Sequence, residues 1–147
     1  MKVASFDIVF QEIPGEVTLA LNLSGCPCHC PGCHSRHLWE DVGEPLTKDL
    51  LDGLLARYGA MITCVCFMGG DQNPKEVQRW AEQIKDHKTA WYSGRMNFPE
   101  RGFDYVKLGG YIEELGGLKS PKTNQRLYKR VGNEWQDITS AFWNRTI

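Results

Sequence analysis

Four cysteines fall within eight residues, in the run Gly25-Cys26-Pro27-Cys28-His29-Cys30-Pro31-Gly32-Cys33-His34. Thiols at this density bind metal or do redox work when they occur in a reducing compartment, where disulfides are rare. Three metal chemistries compete for them. Tetrahedral zinc takes four ligands, usually as two well-separated pairs. No second CxxC pair exists in this chain, and Cys26, Cys28, Cys30 and Cys33 alone would pack tightly around one zinc. A ferredoxin needs four cysteines per cluster, and the CxC spacing of Cys28 to both neighbours suits that poorly. The subset Cys26-x-x-x-Cys30-x-x-Cys33 fits a third chemistry best. Three thiolates hold three irons of a [4Fe–4S] cubane and leave the fourth open, as catalytic metal sites keep a position free.

The bulk of the sequence sets bounds on that chemistry. The chain has 147 residues, 17 Lys+Arg against 18 Asp+Glu, and a net charge of −1. That length suits one domain over residues 1–147 with a real core. The charge balance calls for neither nucleic acid nor an acidic membrane as partner. No apolar run approaches a membrane span. The first sixteen residues, with Asp7, Glu12 and Glu16, lack the apolar stretch of a signal peptide. The expected location is the cytoplasm.

The elements that position the cysteines can be read from periodicity. Val17–Leu23 reads as a strand that ends at Ser24-Gly25, and the cysteine run follows as a loop. Thr47 caps a helix running to Tyr58, with Leu50, Leu51, Leu54, Leu55 and Tyr58 on one face. Met61–Met68 is a continuous apolar run, as in a buried parallel strand, and ends in Gly69-Gly70. Asn73 caps a second helix, with Pro74 first and Val77, Trp80, Ala81 and Ile84 at helical spacing. Thr89–Ser93 and Tyr105–Leu108 read as further strands. Arg126–Val131 and Trp135–Ile138 form a terminal hairpin through Gly132-Asn133. Strand–helix alternation implies an α/β domain built of βαβ units. The strand C-termini then form the functional edge, where the cysteine loop and Gly69–Asp71 should converge.

With these residues in place the sequence resembles the radical S-adenosylmethionine (SAM) superfamily, through CxxxCxxC on a loop after a strand. The segments FQEIPGE, LNLSGCPCHCPGCHS, FMGGD, TNQRLYK and YIEELGGL narrow the likeness to anaerobic ribonucleotide-reductase-activating proteins, over about Phe10 to Lys129. The resemblance implies a partial, open (βα) barrel of the radical SAM type with a C-terminal hairpin extension. It implies Cys26, Cys30 and Cys33 as ligands of a [4Fe–4S] cluster, with SAM on the open iron. It implies reductive cleavage of SAM to a 5′-deoxyadenosyl radical, which takes a hydrogen atom from a glycine Cα of the large anaerobic (class III) ribonucleotide reductase subunit. A flavodoxin-like protein is the implied electron donor. Gly69, Gly70 and Asp71 match the family's Gly-Gly-acid turn, which meets the SAM ammonium; Gly32 and His34 flank the last ligand and line SAM.

The chain departs from the family in two places. Cys28 occupies a spacer position where no cysteine is required, and Gln72 stands where many relatives carry proline. Ser93, Lys107, Asn124 and Arg126 are further candidates for contact with SAM or the partner, each with an ordinary alternative as turn, strand or surface residue. Cys64 and Cys66, two apart on a strand, share a face and are expected to pack in the core. His29, His37 and His87 are expected to be solvated or structural. Two other functions stay open: a radical SAM reaction on another peptide or small molecule, and a non-catalytic iron–sulfur or zinc protein.

Overall fold

The computed structural model describes residues 1–25 and 42–143. Eight strands form one sheet in the order β3-β1-β2-β4-β5-β6-β7-β8. They are β1 (Lys2–Val9), β2 (Thr18–Leu23), β3 (Glu44–Pro45), β4 (Cys64–Met68), β5 (Lys88–Tyr92), β6 (Tyr105–Leu108), β7 (Arg126–Val131) and β8 (Glu134–Asp137). Strands β2, β4, β5 and β6 run parallel to one another, while β1, β3, β7 and β8 pair antiparallel on the flanks. The domain is therefore mixed α/β, and its sheet does not close on itself among the described residues.

Two helices cover one face. Helix α1 (Lys48–Tyr58) starts where Thr47 accepts a hydrogen bond from Leu50 N, and α2 (Pro74–Glu82) where Asn73 accepts one from Glu76 N. Each cap satisfies an amide that the first helical turn leaves without an intrahelical acceptor. Leu51 and Leu54 of α1, with Val77 and Ala81 of α2, pack on Leu19, Leu21, Leu23, Val65, Phe67, Trp91 and Val106. Alternation along the strands sends Cys64, Cys66, Ala90, Tyr105 and Leu127 to the opposite face, where Ile13 and Phe142 close a second core.

Several elements differ from the sequence reading. Strand β1 precedes every expected element, and only Val3 of it is buried. Met61 belongs to a short 3-10 turn, Gly59–Met61, so β4 begins three residues later than the apolar run. The connection from β5 to β6 carries no helix, although the two strands are parallel.

At the base of the parallel strands, Glu16 is 7% exposed. Its Oε2 accepts from Lys88 Nζ at 2.8 Å and from Tyr105 Oη at 2.7 Å. Burial pushes this carboxyl up, but the hydrogen bonds from Lys88 and Tyr105 and the Lys88 charge outweigh it and hold it below its usual range. A depressed folded-state value contributes stability above the unfolded value and loses it as pH falls through the folded one. Glu16→Gln is thus expected to lower the melting temperature at pH 7 by about 3–6 °C, for a loss of about 1.5 kcal/mol tempered by the half-exposed Lys88. Thermal melts at successive pH values should show the gap between the two proteins closing from about pH 5 towards pH 3.

Candidate functional site at the strand ends

Each of the four parallel strands ends at or beside glycine: Ser24-Gly25 after β2, Gly69-Gly70 after β4, Ser93-Gly94 after β5 and Gly109-Gly110 after β6. Gly25, Gly69, Gly70 and Gly109 all have positive φ, between 75° and 104°. At Gly69 (φ 102°) a Cβ would lie 3.2 Å from Leu23 O, so the turn needs glycine for both its backbone angle and its approach to β2.

Ser24 organises the start of the cysteine segment. It is fully buried. Its amide donates to Lys2 O at 3.1 Å, and its Oγ accepts from Val42 N at 3.1 Å. Its carbonyl accepts from Gln72 Nε2 at 3.0 Å. Gly25 and Val42, which bracket the cysteine segment, are therefore held at one residue, and Gln72 joins that residue to the Gly69–Asp71 turn. Cys26, Cys30, Cys33, Gly32 and His34, together with Cys28, His29 and His37, lie outside the described residues.

Gly69, Gly70, Asp71 and Ser93 are brought together. Asp71 is 2% exposed. Its Oδ1 accepts from Ser93 Oγ and its Oδ2 from Gly94 N at 2.9 Å. These two carboxylate bonds join the turn after β4 to the turn after β5. Trp91 Nε1 donates to Gly69 O at 2.7 Å, Gly69 N donates to Tyr92 O at 3.0 Å, and Asn73 N donates to Gly70 O at 3.0 Å. Gly70 is buried against Val77 and Leu23, whereas Gly69 keeps partial exposure.

Lys107 and Asn124 each bond the Gly109-Gly110 turn after β6. In register across β2, β4, β5 and β6, Asn22, Met68, Tyr92 and Lys107 form one row on the face away from the helices. Lys107 is 8% exposed; its Nζ donates to Gly109 O at 3.0 Å and lies 5.4 Å from the centroid of the Tyr92 ring. Asn124 Nδ2 donates to Gly110 O at 3.1 Å, and its buried Oδ1 meets no partner among the described residues. Arg126 is opposite Leu108 in register, yet its guanidinium faces Asp137 at 3.7 Å and the Trp143 ring at 5.8 Å. Those partners belong to the C-terminal hairpin and the turn after it.

Sequence reasoning passed over Ser24 and treated Gln72 only as a departure from the family. The available signal was position: both flank the glycines that end β2 and β4. His87 is structural, with its Nε2 2.8 Å from Gly59 O.

Cys64 and Cys66 are fully buried on the face away from the helices. Burial pushes the Cys64 thiol up to about 12 and the Cys66 thiol well above its ordinary value. Since the thiolate is the reactive form, iodoacetamide at pH 8 is expected to leave both unmodified in the folded protein and to label both in denaturant. Peptide mass mapping reads the outcome.

Among the described residues no helix is long and apolar enough to cross a membrane. A family model described as a 4Fe-4S single cluster domain matches residues 14–99, more than half of the chain. That span runs from before β2 to beyond Ser93 and includes the cysteine run and the Gly69–Asp71 turn. No curated protein and no solved structure matches the chain.

Proposed function

The chain belongs to the family of 4Fe-4S single cluster domains, and on that premise we propose that it is a radical SAM activase for an anaerobic ribonucleotide reductase. The observation that carries the reading is the joining of Ser24, at the root of the cysteine segment, to the Gly69–Asp71 turn through Gln72. It sets the residue that precedes the cysteine segment beside a glycine turn on adjacent parallel strands, the edge where α/β proteins hold ligands.

The residues present fit the two groups. Cys26, Cys30 and Cys33 would hold the cluster, with Cys28 a bystander. Gly69 O accepts one described hydrogen bond, from Trp91, and a carbonyl has capacity for two. It would receive the SAM ammonium on the exposed side of the turn. Asp71 would act through others, fixing Ser93 and Gly94 so that the β4 and β5 turns present one surface. Lys107, with Asn124 beside it, would sit under that surface on the open face, while Gly32 and His34 would line SAM from the cysteine loop. When bound, the cluster and SAM supply one-electron cleavage of the sulfur–C5′ bond and the 5′-deoxyadenosyl radical that takes a glycine hydrogen atom from the reductase. The protein's part is to bind, orient and shield, and a sheet left open would admit a glycine loop of a large partner. A flavodoxin-like donor would supply the electron.

Anaerobic reconstitution tests the reading. Binding of about four irons per chain, a change in the reduced cluster's EPR signal on adding SAM, and a glycyl-radical doublet on a co-expressed reductase are expected. Cleavage of SAM without that doublet would point to another peptide or small-molecule substrate. One zinc bound tightly, with no SAM cleavage after reduction, would sink the enzyme altogether.

A further inference from the structure

The β5–β6 connection leaves the flank of α2 uncovered. In its place is a cleft of about 520 Å³ between α2 and residues 93–101, within the range of small-molecule sites. Beyond Pro74, the α2 wall presents the polar Lys75, Gln78, Arg79 and Glu82. An apolar wall would await a packed helix; this one suits a charged ligand.

Charge on the two walls is uneven. Arg101 is paired with Glu82 at 3.0 Å. Lys75, Arg79 and Arg95 are exposed and pair with no carboxylate among the described residues; the other lining acids are Glu100 and the buried Asp71. Lys75 and Arg79 are four residues apart on one helix face, a like-charge spacing that weakens a helix. Lys75 also stands in the first turn, where the helix dipole disfavours a cation. A bound anion would reverse both costs. The cleft also holds an aromatic surface. Phe98 stacks on Trp135, with centroids 5.7 Å apart, and meets the Tyr128 ring at a steep angle at 4.9 Å, yet remains 47% exposed.

The geometry points to a binding site for a nucleoside polyphosphate, with phosphates on Lys75, Arg79 and Arg95 and the base on the exposed part of Phe98. Guanidinium groups bind phosphate by paired, charge-assisted hydrogen bonds, and a flat ring offers a stacking platform for any base. Asp71 and Ser93 line this cleft as well as joining the strand-end turns, but Gly69 does not line it, and its ligand is anionic where SAM carries a sulfonium.

Anaerobic titration calorimetry of the cluster-loaded protein tests it, with ATP, adenosine and inorganic triphosphate as probes. ATP should bind with a submillimolar Kd, and triphosphate and adenosine each at least about tenfold more weakly. The Lys75→Gln/Arg79→Gln double variant should lose at least about tenfold in ATP affinity, and Phe98→Ala should erase the preference for ATP over triphosphate. Lys122→Gln, exposed and outside the cleft, should change nothing. All these residues are on the surface, and thermal melts confirm that each variant folds. No heat with ATP would overturn the inference. So would equal binding of triphosphate, or an ATP affinity that the double variant leaves unmoved. SAM cleavage by the double variant should stay at the parent rate, which separates this site from the one at the strand ends.

Discussion

Cys30→Ala is expected to abolish SAM cleavage, whereas Cys28→Ala should leave it nearly intact. The three-thiolate reading has no spare ligand. Losing Cys30 leaves two thiolates for three irons, and a cubane held at two corners loses iron. Substitutions merely outside the ligand shell of metal sites cost 10–100-fold, so a lost ligand should cost more than about a hundredfold. Cys28 stands two residues from both Cys26 and Cys30 and belongs to no CxxxCxxC position. Iron content, 5′-deoxyadenosine release and the reduced-state EPR spectrum check both variants. A Cys28→Ala protein without activity would show that the ligand set includes Cys28.

The second large effect concerns the turn after β4. Gly70→Ala is expected to destabilise the domain by about 2–5 kcal/mol and to depress SAM binding with it. Two costs combine. Gly70 has φ +85°, where an L-residue loses about 1–2 kcal/mol. Its new Cβ would be 2.5 Å from Val77 Cγ2 and 3.0 Å from Leu23 Cδ1. Both neighbours are buried core side chains, and overfilling such a site costs about 1–3 kcal/mol. Gly132→Ala is the control. It shares a positive φ, +63°, with nothing within 4 Å of the added Cβ, so it should show the backbone cost alone. Denaturant melts of the two variants separate strain from packing.

The parts of the fold legible in sequence are those whose side chains must be buried. β4 reads as apolar because Cys64–Phe67 are all buried, and both helices announce themselves through Thr47, Asn73 and Pro74. β1 was not legible. Phe6 is 40% exposed, Asp7 and Ser5 face solvent, and the strand is held through its backbone pairing with β2. Backbone hydrogen bonding leaves little trace in residue type. The same limit applied at the site. The glycines at 69 and 70 could be read because positive φ selects them. The direction of Asp71 could not, because its partners Ser93 and Gly94 are brought to it only when β4 and β5 pair. The carboxylate of the turn expected to meet a ligand's ammonium bonds the neighbouring turn.

Ser24 carries one further consequence. Because its carbonyl, amide and hydroxyl bind Gln72, Lys2 and Val42, the folded sheet holds together Gly25 and Val42, the residues that bracket the cysteine-bearing stretch. The entropy of bringing its ends together, which grows with the logarithm of loop length, is met by folding rather than by metal. These bonds involve no cysteine, so the sheet holds the two ends without a metal. Stripping bound metal with a chelator is therefore expected to leave the melting transition of the sheet in place, as thermal melts before and after would show.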